Sequence, residues 1–201
     1  MSLAQESIVS IQSVCVYCGS SNHVDDSYKK LAHEVGTVLA RRGLRVVYGG
    51  GHVGLMGTMA DAALAAGGQV IGIIPEHIRA REVQHKNLTE LHVVDSMHTR
   101  KRMMVDYSDA FIILPGGFGT LDEAFEVLTW KQLGLHSKPI IIHNVDGFWT
   151  PLVALIETII STGFAPQGMQ KFYHVTTNTA ELIAALDAPS EEMMDPATKW
   201  I

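Results

Sequence analysis

Short apolar runs alternate along this chain with longer segments of helical period. The runs Ser13–Tyr17, Arg45–Tyr48, Gln69–Ile74, Leu91–Val94, Ala110–Leu114, Pro139–His143 and Tyr173–Val175 have strand length and are rich in β-branched residues. Helical spacing of apolar positions fills the gaps at Ser27–Arg41, Leu55–Ala66, Thr99–Tyr107, Leu121–Leu133, Pro151–Thr162 and Thr179–Leu186. Phe111-Ile112-Ile113-Leu114 and Ile140-Ile141-Ile142 lack polar alternation, so both faces of these strands are expected to be buried, as in a parallel sheet covered by helices. Repeated βα units predict an α/β fold: a single Rossmann-like, doubly wound domain with a mainly parallel sheet of about seven strands, spanning residues 13–187. Residues 1–12 and the proline-containing, apolar-poor tail 188–201 are expected to be loosely held.

Composition narrows the function classes. The 201 residues are 47% hydrophobic and 18% charged, as in an ordinary globular domain. A formal net charge of −6 argues against nucleic acid or a membrane surface as partner, because both are polyanions. No apolar stretch is long enough to span a bilayer, and no basic segment followed by an apolar core opens the chain. Cys15 and Cys18 have the spacing of a redox pair or half a zinc site. Cys15, however, sits within an apolar strand and no second pair exists, so both are read as reduced structural thiols of a cytoplasmic protein.

Three strand ends lead into small, glycine-rich turns: Cys18-Gly19-Ser20-Ser21-Asn22, Gly49 to Gly57, and Pro115-Gly116-Gly117-Phe118-Gly119-Thr120-Leu121-Asp122-Glu123. In open α/β sheets ligands bind beyond the carboxyl ends of the strands, so three such turns point to a nucleotide-like or phosphorylated ligand. The second turn contains Gly49-x-Gly51-x-x-Gly54, the dinucleotide pattern, but it lies outside the first βα unit and lacks the acid about twenty residues on. The P-loop pattern is absent. Neither a nicotinamide oxidoreductase nor a P-loop nucleotidase is supported.

The third turn carries the most chemistry. A helix expected to begin at about Thr120 aims its N-terminal N–H groups and the positive end of its dipole at one spot, which suits an anion such as phosphate. Glu123, expected in the first turn of that helix and one turn beyond Gly119, points its side chain back towards the same spot. A plain anion grip has no use for this negative charge. Asp122 and Glu126 read as complements to the dipole. In Ser96-Met97-His98-Thr99-Arg100-Lys101-Arg102, Ser96 caps a helix; Arg100 and Lys101 are either solvated cations or face the same pocket as the third turn, where a guanidinium would bind a phosphate or carboxylate. The ten histidines are scattered without an i, i+4 pair, and no metal is expected.

Pro115 to Glu123 resembles the PGGxGTxxE signature of the LONELY GUY (LOG) family, and Met97-His98-x-Arg100-Lys101 resembles its second motif. Tyr48-Gly49-Gly50-Gly51-x-x-Gly54-Leu55-Met56-Gly57 and Cys18-Gly19-Ser20-Ser21 are similar too, so the resemblance covers Val14 to Leu186; Asp122 replaces a frequent glutamate. It implies a cytokinin riboside 5′-monophosphate phosphoribohydrolase, which frees an adenine-type base and ribose 5-phosphate from a nucleoside 5′-monophosphate, in many members AMP. It also implies a homodimer whose sites lie near the interface, and no cofactor. The older lysine decarboxylase label finds no lysine in a recognisable pyridoxal phosphate setting. By the resemblance Arg100 and Glu123 are the catalytic pair, and Gly116, Gly117, Gly119 and Thr120 hold the 5′-phosphate. Gly19, Ser20, Gly50, Gly51 and Met97 belong to site motifs, while Glu82, Lys101 and Thr129 match substrate-lining positions; Glu82 falls in the loop Ile78–Leu88, which is expected to cover the base. The alternative is a non-catalytic nucleotide or molybdenum-cofactor carrier of the same fold.

Overall fold

The computed structural model describes residues 11–79 and 83–188. Glu82 and most of the two expected loose ends lie outside the described residues. Seven strands form one sheet: β1 (Ser13–Tyr17), β2 (Arg45–Tyr48), β3 (Val70–Pro75), β4 (Glu90–Val94), β5 (Ala110–Ile113), β6 (Ile140–His143) and β7 (His174–Thr176). The helices are α1 (Asp26–Arg41), α2 (Leu55–Ala65), α3 (Met97–Asp106), α4 (Phe118–Gln132), α5 (Thr150–Ser161) and α6 (Thr179–Asp187). All pairings are parallel and the order is β4-β3-β2-β1-β5-β6-β7. The expected Rossmann-like architecture is therefore present, with its order reversing between β1 and β5.

Strand alternation divides the core into two layers. Val14, Val16 and Cys18 face α1, α2 and α6, whereas Cys15 and Tyr17 face α3, α4 and α5. The two thiols are thus buried in different layers, and both are free. Burial, and after it the charge of Glu123, pushes both well above the usual thiol range, so they stay protonated. Helices α1 and α2 pack closely because Gly36 has no side chain: a Cβ there would meet the Met59 carbonyl oxygen at 2.2 Å.

Two helix starts differ from expectation. Met97 and His98 already lie in α3, with Ser96 accepting from the Thr99 N–H. Helix α4 begins at Phe118 rather than near Thr120, because Gly117 serves as its N-cap. Glu123 is consequently in the second turn.

His136 joins α4 to β6. Its Nδ1 accepts from the Lys138 N–H and its Nε2 lies 3.0 Å from the Val127 carbonyl oxygen, an arrangement that suits a neutral ring donating through Nε2. Burial lowers its pKa to about 4. Because the unfolded chain takes up this proton near pH 6.5 and the folded chain only near pH 4, stability falls as pH drops through that window. The loss expected from His136 is roughly 3 kcal/mol. Denaturant titrations between pH 7 and pH 4 are expected to show a clearly shallower loss for His136→Gln than for the unmodified chain.

Candidate active site

The parallel register sets the two key turns side by side where the strand order reverses, the place where open α/β sheets bind ligands. The Leu114 N–H donates to the Tyr17 carbonyl at 2.9 Å, and one step further the Gly19 N–H donates to the Pro115 carbonyl at 3.0 Å. The contact is tight, since a Cβ on Gly19 would lie 3.3 Å from the Gly116 Cα. The Gly49–Gly57 turn joins them through the Leu55 N–H, which donates to the Gly19 carbonyl at 3.0 Å, and the Gly54 N–H, which donates to Asn22 Oδ1 at 2.9 Å.

Above this junction opens a cavity of about 620 Å³. Its lining combines Gly19, Ser20, Ser21 and the stretch Pro115–Thr120 with the apolar side chains of Val24, Tyr28, Leu55, Ile78 and Phe148. Met97, Arg100 and Glu123 line it as well. Helices α1, α3 and α6 have side-chain caps, but α4 opens on Gly117 without one. A helix start cannot satisfy its own first N–H groups, so those of Phe118, Gly119 and Thr120 are available to a ligand. Gly117 and Gly119 have nothing within 4 Å of where a Cβ would lie, whereas one on Gly116 would meet Thr120 Oγ1 at 2.1 Å. This helix start thus offers a cradle suited to an anion, kept open by missing side chains.

Arg100 is buried and donates through Nη2 to the Gly49 carbonyl at 3.0 Å. Glycine at 49 leaves room for this contact: a Cβ would sit 1.9 Å from that same nitrogen and displace the guanidinium. Lys101, by contrast, leaves the cavity. Its Nζ pairs with Asp122 at 3.1 Å and Glu126 at 3.1 Å. Burial disfavours its charge, but these carboxylates outweigh burial and raise its pKa. Of the two readings for Arg100 and Lys101, the structure divides them: Arg100 lines the cavity and Lys101 does not, since adjacent residues of a helix do not face the same way. Asp122 and Glu126 are ion-pair partners of Lys101 rather than dipole complements alone.

The remaining expected site residues divide. Gly19, Ser20, Met97, Gly116, Gly117, Gly119 and Thr120 line the cavity. Gly50 and Gly51 lie behind the wall, where the His85 N–H donates to the Gly50 carbonyl at 3.0 Å and Gly51 bridges to Gln84. Thr129 is exposed on the outer face of α4. Tyr28, Phe148 and Ile78 were not foreseen; Phe148 follows β6, so the strand-end rule itself could have found it. Among the described residues, His52, Asp61 and His85 bring potential metal-ligand atoms within 4.8 Å of one another, which the sequence spacing does not reveal.

A family profile described as "Possible lysine decarboxylase" matches residues 56–186. The chain is 47% identical over 179 residues to a cytokinin riboside 5′-monophosphate phosphoribohydrolase of Rhodococcoides fascians, covering 89% of this chain and 90% of that one. It is 43% identical over 174 residues to the protein of that activity named LOG in Oryza sativa subsp. japonica, covering 87% and 72%. Among solved structures, the molybdenum cofactor carrier protein of Chlamydomonas reinhardtii superposes with a TM-score of 0.66 at 21% identity, covering 87% and 94%. The molybdenum cofactor binding protein of Rippkaea orientalis gives 0.65 at 22%, covering 88% and 97%. At such identities these two structures speak for the fold alone.

The cradle makes a prediction of its own. The double variant Gly117→Ala, Gly119→Ala is expected to fold with a stability within about 1 kcal/mol of the unmodified chain, because alanine at Gly119 favours the helix while alanine at the Gly117 N-cap disfavours its start. Its affinity for inorganic phosphate, read by calorimetry, is expected to fall about tenfold as the methyl groups crowd the cradle.

Proposed function

The chain belongs to the cytokinin riboside 5′-monophosphate phosphoribohydrolase (LONELY GUY) family, and from that premise we propose that it hydrolyses the N-glycosidic bond of adenosine 5′-monophosphates, N6-modified ones and AMP included. The observation that carries the reading is a buried guanidinium and a carboxylate lining the same cavity as an uncapped helix start. The 5′-phosphate accepts from the N–H groups at the start of α4 and from Ser20. The ribose lies next to Glu123 and Arg100, and the base extends towards Val24, Tyr28, Leu55 and Phe148. These apolar walls suit a purine with a hydrocarbon substituent on N6.

As the C1′–N9 bond lengthens, positive charge develops on the ribose ring. Glu123, held one helical turn beyond the phosphate cradle, stabilises that charge and accepts a proton from the attacking water. Arg100 keeps its position through the Gly49 carbonyl and orients the nucleotide. Water adds its hydroxyl to C1′, and a proton ends on the departing base, giving ribose 5-phosphate and free adenine or its N6-modified form. No cofactor enters these steps. Two buried free thiols accord with a reducing compartment such as the cytoplasm.

The reading extends to a homodimer. Phe118, Asp122, Phe125, Thr129 and Leu133 fall at helical spacing on the exposed face of α4, with Phe118 92% exposed while also lining the cavity. A second copy seated on this face would cover the aromatic stripe beside the cavity mouth and bring Thr129 to the interface.

Two measurements test this. Glu123→Gln is expected to bind adenosine 5′-monophosphate within about threefold of the unmodified chain while losing roughly 10²–10⁴ in kcat; full turnover by this variant would remove Glu123 from the chemistry. Light scattering after gel filtration is expected to give twice the chain mass, and Phe125→Glu is expected to halve it.

A further inference from the structure

Behind the wall of the cavity lies a cluster outside the reaction described above. Asp61 on α2 accepts through Oδ1 from His85 Nε2 at 2.9 Å and contacts His52 Nε2 through Oδ2 at 3.0 Å. The two rings meet edge to face with centroids 4.5 Å apart. The ligand atoms are close enough for a metal ion, but the tautomer argues otherwise. His85 is buried, and its Nδ1 accepts from the Asn87 N–H at 3.1 Å. The neutral ring therefore carries its proton on Nε2, where a metal would need a lone pair. That proton is directed at Asp61. The cluster is a hydrogen-bonded clamp.

The clamp grips two backbone segments. The His52 N–H donates to the Val83 carbonyl at 2.9 Å, Gly51 bridges antiparallel to Gln84, and the His85 N–H donates to the Gly50 carbonyl at 3.0 Å. Residues Val83–His85 thus lie as a strap along Gly50–His52, with His52 and His85 both fastened to one carboxylate. Val83 has φ +47°, a left-handed conformation that a β-branched residue rarely adopts and that its surroundings must enforce. Each segment reaches the cavity from its other end. The Gln84 N–H donates to the Arg79 carbonyl at 3.2 Å, next to Ile78 in the cavity wall. Gly49, directly before the strapped residues, is the carbonyl seat of Arg100.

Resting on the functional reading above, we infer that Asp61 is a positioning residue for the nucleotide site: by holding His52 and His85 together it fixes the Val83–His85 strap, and through it the Ile78 wall and the Gly49 seat of Arg100. Burial favours its neutral form, but the two histidine hydrogen bonds outweigh burial and lower its pKa, so it grips as a carboxylate.

The comparison of Asp61→Ala with Asp61→Asn tests this. Alanine removes both contacts. Asparagine keeps its carbonyl for His85 and offers its amide to His52, which can present an unprotonated nitrogen, so it is expected to rescue. For adenosine 5′-monophosphate, Asp61→Ala is expected to raise KM about tenfold or more with kcat within about threefold, and Asp61→Asn to stay within about threefold on both. Amide hydrogen exchange without substrate is expected to rise about tenfold in Asp61→Ala over 50–52 and 83–87, and not in the strands. Unchanged exchange in those segments overturns the clamp. So does exchange that rises with KM unmoved, and so does zinc-dependent stabilisation that Asp61→Ala abolishes, which would make the cluster a metal site. A chain that cleaves no monophosphate, yet loosens at these segments in Asp61→Ala, sinks the functional reading and leaves the clamp standing.

Discussion

The site depends on one constraint: the parallel pairing of β1 with β5 at the point where the sheet reverses its order. This register continues past the strand ends, as Tyr17 receives from Leu114 and Pro115 receives from Gly19. Two turns remote in sequence are locked into one surface before any ligand is bound. Glycine at positions 19 and 116 makes the approach possible, since a side chain on either would press on the other turn or on Thr120. Everything that follows is built on that seam: the uncapped start of α4, the carboxylate one turn later, and the second glycine loop bonded to Gly19.

Rigidity and openness are divided among glycines that look alike in the sequence. Gly54, Gly57 and Gly116 leave no room for a Cβ, which would strike neighbouring atoms at under 3 Å, and one on Gly49 would displace the Arg100 guanidinium. Gly117 and Gly119 face empty space and leave room for a ligand. Charges are divided in the same way. Arg100 is kept in the cavity by a backbone carbonyl, while Lys101 is bound to two carboxylates of α4, which ties α3 to α4. Arg100 and Lys101 belong to one short motif and take on different work because a helix turns them apart.

The fold was largely legible because its central strands are buried on both faces and are separated by segments of helical length, so the character of the pattern changes at nearly every boundary. Residues Pro115–Glu123 were legible for a related reason: a glycine turn between a buried strand and a helix has few geometries, and Glu123 follows from helical spacing. Helix starts were read two residues late because Phe118-Gly119 and Met97-His98 carry no apolar periodicity. Tyr28, Phe148 and Ile78 could not be read together, since they come from three elements that meet only after the sheet has formed. The same holds for His52, Asp61 and His85, whose association depends on an isolated bridge between Gly51 and Gln84.

The central claim is that the anion cradle anchors a phosphate that stays on the sugar, while the bond broken is the one to the base. Chromatography of the products formed from adenosine 5′-monophosphate tests it most directly. The account predicts adenine and ribose 5-phosphate in equal amounts. Adenosine with inorganic phosphate would contradict it, for the cradle would then hold the leaving group rather than the anchor.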